Sequence, residues 1–277
     1  MAAMSTIVFV HAHPDDECIQ TGGTMARAAA DGHRVVLVVA TRGEHGEVVP
    51  DVLADGEALW QRRIAETFEA AQILGVQRVE FLGYVDSGMM GDPANTAPYA
   101  FWSADVDAAA RRLAAILSEE SAEVLTAYDH HGGYGHPDHI QVHRVGLRAA
   151  ELAGTPVVLQ ATMNRDHVLA GIAEAREAAE AAREVGDEVT TPLDAPDFDI
   201  PDDFGEPAAN ITHAIDVSDL VGAKRAAMVA HASQIAADSW FLAMDDEQFT
   251  RAFGTEWFIR TGGTRAEGVP FLESIWA

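Results

Sequence analysis

The chain is predicted to be an α/β protein, a Rossmann-like, mostly parallel sheet with helices on both faces. Three observations carry that expectation. Strand-like and helix-like segments alternate through the N-terminal half. The run Arg34 to Thr41 is almost unbroken valine and leucine, the pattern of a strand buried on both faces. Two clusters rich in His and Asp follow directly on strand-like runs, where an open parallel sheet places its ligands.

The elements are read in order. Thr6 to Val10 is a short β-rich run. Gly22 to Asp31 reads as a helix, and Arg34 to Thr41 as the buried strand. Ala58 to Leu74 is helical and stops at Gly75, a natural helix end. Arg78 to Leu82 is a strand, Ala104 to Glu119 a helix and Glu123 to Ala127 a strand. Asp138 to Ala153 is a helix and Pro156 to Ala161 a further strand. Asp166 to Val185, rich in Ala, Glu and Arg, reads as a helix. Gly186 to Ala209 is acidic and carries Pro192, Pro196, Pro201 and Pro207, which predicts a long loop, a lid or ordering segment. Ile211 to Asp216 is a strand and Val221 to His231 a helix. There is no internal repeat and no clean linker. One domain over residues 1–277 is expected, with 186–277 its less regular part.

The chain has 277 residues, 48% of them apolar, enough for one large core. No stretch approaches the ~20 apolar residues of a membrane span. Met1 to Thr6 lacks a basic segment followed by an apolar one, so a cytoplasmic location is expected. Cys18 is the sole cysteine, which excludes an internal disulfide and a Cys-rich zinc site. Any transition metal must be held by His and carboxylate. The formal net charge of −26 disfavours a nucleic-acid groove. The expected partner is a small molecule, with no nucleic acid and no membrane; a homo-oligomer stays open. Lys224 is the only lysine, a skew read as compositional.

The first cluster is His11-Ala12-His13-Pro14-Asp15-Asp16-Glu17. The second runs from Tyr128-Asp129-His130-His131 through Gly132-Gly133-Tyr134-Gly135 to His136-Pro137-Asp138-His139. If their strands are neighbours across the point where the winding reverses, both clusters face one crevice. A catalytic zinc takes three His or carboxylate ligands and keeps one position open. Of two adjacent carboxylates, one can bind metal while the other acts as base toward a zinc-acidified water. Tyr134 and His136 are plausible oxyanion donors. The plainer reading is that Asp15 or Asp16 caps a helix and that histidines in a Gly-rich loop are solvated.

His13-Pro14-Asp15-Asp16-Glu17 with the later His136-Pro137-Asp138-His139 resembles the LmbE-like, or PIG-L, deacetylases, from about Ile7 to the Val157 strand. Within that family the loop is most similar to the deacetylase of the actinobacterial mycothiol branch. The resemblance implies that His13, Asp16 and His139 bind zinc, with Fe²⁺ or another divalent transition metal as an alternative. It implies that Asp15 is the general base and that Tyr134 polarises the carbonyl. His136 would be a protonated partner, and Asp138 would tune a histidine. Arg63, Asp86, Met89 and Gln20 would contact substrate. The implied activity is removal of acetyl from an N-acetylglucosamine-type compound. The alternatives are an amidase of mycothiol conjugates, which has Pro where this chain has Gly135, and a non-catalytic binding protein. Gln20 stands where the mycothiol deacetylase has serine and the amidase lysine, and His130-His131 replaces a different dipeptide.

Other residues carry modest expectations. His11 reads as a packed histidine behind the site. Cys18 reads as a small hydrophobe, His231 as a core histidine, and Glu44, His45 and Glu47 as a solvated loop. Trp240, Phe241, Trp257 and Phe258 read as core or subunit interface.

Overall fold

A computed structural model describes residues 4–184 and 204–276. Most of the predicted loop, residues 186–203, lies outside the described residues. The strands are β1 (Thr6–His11), β2 (Arg34–Val39), β3 (Arg78–Phe81), β4 (Val124–Tyr128), β5 (Val157–Thr162), β6 (His213–Asp216) and β7 (Thr255–Arg260). The helices that matter for the site are α1 (Asp16–Gln20), α2 (Gly22–Ala30), α3 (Leu59–Ile73), α4 (Val106–Glu119), the single turn α5 (Gly132–Gly135) and α6 (Pro137–Ala153). They are followed by α7 (Arg165–Glu184), α8 (Val221–Ala230), α9 (Trp240–Ala243) and α10 (Asp246–Phe253). No described helix is long and apolar enough to cross a membrane.

The strands form one seven-stranded sheet in the order β3-β2-β1-β4-β5-β7-β6. From β3 to β5 every pairing is parallel. β7 runs antiparallel to both β5 and β6. The α/β expectation therefore holds, with an antiparallel edge added. β7 itself escaped the sequence reading. Its Trp257 and Phe258 alternate with Glu256, a buried charge that interrupts the apolar pattern, and Phe258 is fully buried.

Both faces of the sheet are packed. Ile7 and Phe9 of β1 join one apolar cluster, and Val8 and Val10 join the other. β2 divides the same way, with Val35, Leu37 and Val39 on one side and Val36 and Val38 opposite. That is why its valine run shows no alternation. β1 pairs with β2 on one side and β4 on the other, so the winding reverses between β1 and β4. The two His-Asp clusters emerge side by side at that point.

Two contacts set helix positions near the site. Gly146 of α6 lies against β4, and a Cβ there would sit 2.9 Å from that of Ala127. The close approach aims the N-terminus of α6 along the end of β4. On the other face, Glu256 of β7 accepts hydrogen bonds from the Gly23 and Thr24 amides, each 2.8 Å, at the start of α2. Its partner is Lys224 of α8, buried and 2.6 Å away. The chain's only lysine is thus a structural counter-ion. Lys224→Met leaves Glu256 buried without its cation. The expected loss in urea unfolding is about 3–5 kcal/mol; a loss under about 1 kcal/mol would remove this pair from the account.

Candidate active site

The loop after β1 is held in an unusual turn. Asp15 has φ 96°, a conformation that residues other than glycine seldom adopt. The strain is contained from several sides. The Asp15 amide donates to Glu17 Oε2 (2.9 Å), and Cys18 Sγ donates to the Asp15 carbonyl (2.9 Å). Arg63, buried on α3, reaches up to donate to the carbonyl of Gly43 (2.8 Å), to that of Pro14 and to Asp15 Oδ2 (3.2 Å). Gly43 and Gly46 make room for it, since a Cβ at either would collide with the guanidinium. Asp15 occupies the N-cap position of α1, yet its side chain makes no capping bond. The plain capping reading therefore does not account for Asp15.

Glu17 is fully buried beneath this turn. Its second oxygen accepts from His231 Nε2 at 2.6 Å. His231 is in the core as expected, and its partner lies 214 residues away. Nothing local in the sequence marks that pair. Cys18 is buried and its thiol is pushed up by burial, which suits a hydrophobe rather than a nucleophile. His11 spends both ring nitrogens, on Tyr128 Oη (3.0 Å) and Thr21 Oγ1 (2.8 Å). Burial lowers its pKa to about 4, so it is a neutral packed histidine.

The loop after β4 turns on Asp129. Its carboxylate accepts from the amides of His131 (3.0 Å) and Gly133 (2.9 Å) and from Thr162 Oγ1. Gly132, at φ 65°, cannot carry a side chain, because a Cβ would lie 2.5 Å from that of His139. The turn delivers His136 to the N-cap of α6, with Pro137 in its first turn. His136 Nδ1 accepts the Asp138 amide at 3.1 Å. Burial and the neighbouring His13 lower the His136 pKa to about 4. A ring used this way is neutral and donates through Nε2–H. The resemblance expects a protonated His136; burial and the neighbouring His13 work against that charge.

His139 is completely buried. Its Nδ1–H donates to the Gly132 carbonyl (3.1 Å), and Tyr128 stacks on the ring at 4.3 Å. This fixes the tautomer and leaves Nε2 with its lone pair exposed to the crevice. Among the described residues that Nε2 has no hydrogen-bond partner, and it lies 3.3 Å from Asp16 Oδ1. Asp16 Oδ2 in turn accepts the His13 amide (2.8 Å) and faces His13 Nδ1 at 3.3 Å. His13 Nε2 meets Asp138 Oδ2 (3.2 Å) and Asp86 Oδ1 (3.5 Å). Asp138 is fixed by the Ser87 amide (2.9 Å) and hydroxyl. Asp86 accepts the Gly88 amide (2.8 Å) and the His45 amide (3.2 Å), and its own amide donates to Glu44 (3.0 Å). His45 and Glu47 are exposed as expected, whereas Glu44 steadies the Asp86 turn.

The structure thus brings His13, Asp15, Asp16, Asp86, His136, Asp138 and His139 into one crevice. Tyr134 stands at its rim, half-exposed, its ring 5.0 Å from that of His139. Shielding from water and the charge of Asp16 push its pKa up, so its hydroxyl keeps its proton. Gln20 is half-buried at the edge, its Nε2 3.9 Å from the place of a Gly133 Cβ. Met89 is exposed. Arg63 lies under the floor with its guanidinium engaged by backbone carbonyls and Asp15. Asp129, part of the second cluster, and Ser87, beside Asp86, were given no role of their own from sequence and are the groups that set these loops.

The donor set fits a divalent transition metal. His13 Nδ1 and His139 Nε2 each lie 3.3 Å from an oxygen of Asp16, and the rings of His13, His136 and His139 stand close together. The unpartnered His139 Nε2 is the kind of buried orphan a ligand site leaves. Several carboxylates crowd His13, an excess of negative charge that a cation balances. Burial opposes a charge on His13, but Asp138, Asp16 and Asp86 outweigh it and hold its pKa well above the ordinary value. Burial raises Asp15 to about 6, against the pull of Arg63 and with a push from Asp16.

Comparison with known proteins places these features. Residues 8–150 match the family model described as PIG-L, GlcNAc-PI de-N-acetylase. A relative from Acidothermus cellulolyticus, named 1D-myo-inositol 2-acetamido-2-deoxy-alpha-D-glucopyranoside deacetylase, is 45% identical over 271 residues, covering 94% of this chain and 89% of its own. The solved N,N'-diacetylchitobiose deacetylase of Pyrococcus horikoshii superposes with a TM-score of 0.56 at 24% identity, over 92% of this chain and 83% of that one. The 4-carboxy-2-hydroxymuconate hydratase of Pseudomonas putida shares the fold as well, with a TM-score of 0.56 at 18% identity, over 96% of this chain and all of its own. With the model matched across both motifs and a curated relative aligned nearly end to end, the chain belongs to the PIG-L family.

Proposed function

We propose that the protein is a metal-dependent N-deacetylase that releases acetate and a free amine from an N-acetylglucosaminyl glycoside of the mycothiol-precursor type. One observation carries the chemistry: the partnerless His139 Nε2 faces a carboxylate, Asp16, that it shares with His13, while Asp15 stands beside it without a capping role. The name and full-length match of the Acidothermus cellulolyticus relative support the substrate.

His13, Asp16 and His139 would hold the ion, zinc by its preference for nitrogen and carboxylate donors, with Fe²⁺ as an alternative. When bound it supplies a Lewis acid and an acidified water. Asp15 accepts the water's proton as oxygen adds to the amide carbon. With a pKa near 6 it is ionised at neutral pH and basic enough for the task. The Tyr134 hydroxyl donates to the oxygen as negative charge builds there. The neutral His136 adds an Nε2–H donor. Asp15 then returns its proton to the nitrogen as the C–N bond breaks, so the amine leaves neutral. Asp138 and Asp86 hold His13 Nε2–H and keep Nδ1 turned toward Asp16. Arg63 acts through Asp15 and the Pro14 carbonyl, a positioning role rather than a direct grip on sugar. Gln20, Met89 and Tyr134 line the rim where the glycoside would enter.

Four outcomes are expected. Metal removal by a chelator abolishes activity, and Zn²⁺ restores it. Asp15→Asn cuts turnover by about 10²–10⁴ yet retains metal, whereas His139→Ala loses the metal. Equal metal loss in both variants would contradict the division between Asp15 and its neighbours. Tyr134→Phe lowers kcat by about 10²–10³ with KM little changed; a raised KM at unchanged kcat would make Tyr134 a binding residue only. For substrate, side-by-side assays of amine release should favour the N-acetylglucosaminyl inositol over a mycothiol thiol conjugate. Preference for the conjugate would reassign the protein within its family.

A further inference from the structure

A second cluster of metal-ligating groups lies behind the Tyr134 loop. We propose that His130, His131 and Glu206 form a separate site for a divalent transition metal of the zinc class. His130 Nδ1 lies 3.2 Å from Glu206 Oε1, and His131 Nε2 lies 3.6 Å from the same oxygen. All three ligand atoms fall within 4.8 Å of one another. Around a tetrahedral zinc, with bonds near 2.0–2.2 Å, neighbouring ligand atoms sit about 3.3 Å apart. The two distances to Glu206 Oε1 are of that size, and the two imidazole nitrogens lie within 4.8 Å of each other, so one ion can reach all three groups.

The site is built rather than incidental. Glu206 is almost fully buried, at 4% exposure, an unusual place for a carboxylate met by imidazoles. Asn210 Nδ2 donates to its other oxygen at 2.7 Å, which fixes the carboxylate and turns Oε1 toward the two rings. The Glu206 backbone is anchored too: its amide donates to the Met163 carbonyl and its carbonyl accepts the Arg165 amide, each 2.9 Å. On the other side, Asp129 holds the His131 amide at 3.0 Å. The two rings lie against each other at 3.7 Å. The imidazoles are partly exposed, His130 most of all, so the ion can enter from solvent and keep water in its remaining positions.

The consequence is mechanical. His130 and His131 belong to the loop that carries Tyr134, and Glu206 sits on the segment that also donates the Gly205 amide to the Gly133 carbonyl (2.8 Å). An ion here ties that loop to this segment. It binds the folded chain and not the unfolded one, so it raises the melting temperature.

The test is zinc stoichiometry. Chelator-stripped protein is dialysed against a zinc buffer and the metal per chain measured by elemental analysis. The unchanged protein should bind two zinc ions, and His130→Ala/His131→Ala should bind one. His139→Ala should also bind one, and the triple variant none. The second equivalent of zinc should raise Tm in the unchanged protein and leave the His130→Ala/His131→Ala melt unmoved. One ion in both the unchanged protein and that double variant overturns the proposal, and so does retention of two in the double variant. If instead the unchanged protein and His139→Ala both bind one while the double variant binds none, this site stands and the metal reading of the main crevice falls.

Discussion

Buried negative charge is the constraint around which this molecule is arranged. Asp16, Glu17, Asp86 and Asp138 are all buried in the segments that follow β1, β3 and β4, and Asp15 stands over them. Carboxylates at low dielectric are tolerated only with donors or counter-charges in contact. Each one here has its own. The His13 amide serves Asp16, the His45 and Gly88 amides serve Asp86, and Ser87 serves Asp138. Arg63 serves Asp15, and His231 serves Glu17. His13 stands among three of these groups. What the backbone amides cannot neutralise falls to the imidazoles and to whatever cation they hold.

The strained turn at Asp15 follows from the same arrangement. An ordinary helix start would have spent the Asp15 carboxylate on the first free amides of α1. At φ 96° it is turned away from them, toward Arg63 and the crevice. Holding a residue there costs about 1–3 kcal/mol, and the contacts that offset it come from far along the chain. Arg63 arrives on α3, and His231 from the end of α8. The lower helical layer therefore serves the loop above it, which explains a buried arginine facing main-chain carbonyls.

This division decides how much could be read from sequence. The parallel sheet was legible because β2 is an unbroken apolar run and α3 stops just before Gly75. Convergence of the two His-Asp clusters was legible because each follows a strand directly, and adjacency of β1 with β4 is the only further condition. β7 was not legible. Its Glu256 points inward to Lys224, so a strand buried by an ion pair looks polar along the chain. The support of Asp15 was hidden for another reason: Arg63 is 48 residues from it, and His231 is 214 residues from the Glu17 that it holds beneath the turn, distances over which no local pattern speaks. Met89 and Gln20 differ again. They lie at the rim, where nothing in the packing dictates what they meet.

The family's fold does not by itself dictate deacetylation, since a hydratase shares it. What separates chemistries on this scaffold must lie in the loops at the strand ends. In this chain the decisive local choice is His136. Using Nδ1 as a helix cap commits the ring to a neutral form with one donor, Nε2–H. A neutral imidazole can stabilise a forming oxyanion but cannot readily give up its remaining proton to a leaving amine. On the mechanism proposed above, that burden passes to Asp15, which burial raises to about 6. A single carboxylate can carry the proton both ways because it gains the proton from water in the step before it is needed by nitrogen. On that proposal the strain, the buried arginine and the Glu17–His231 pair have a common purpose: they hold in place the residue that would carry both transfers.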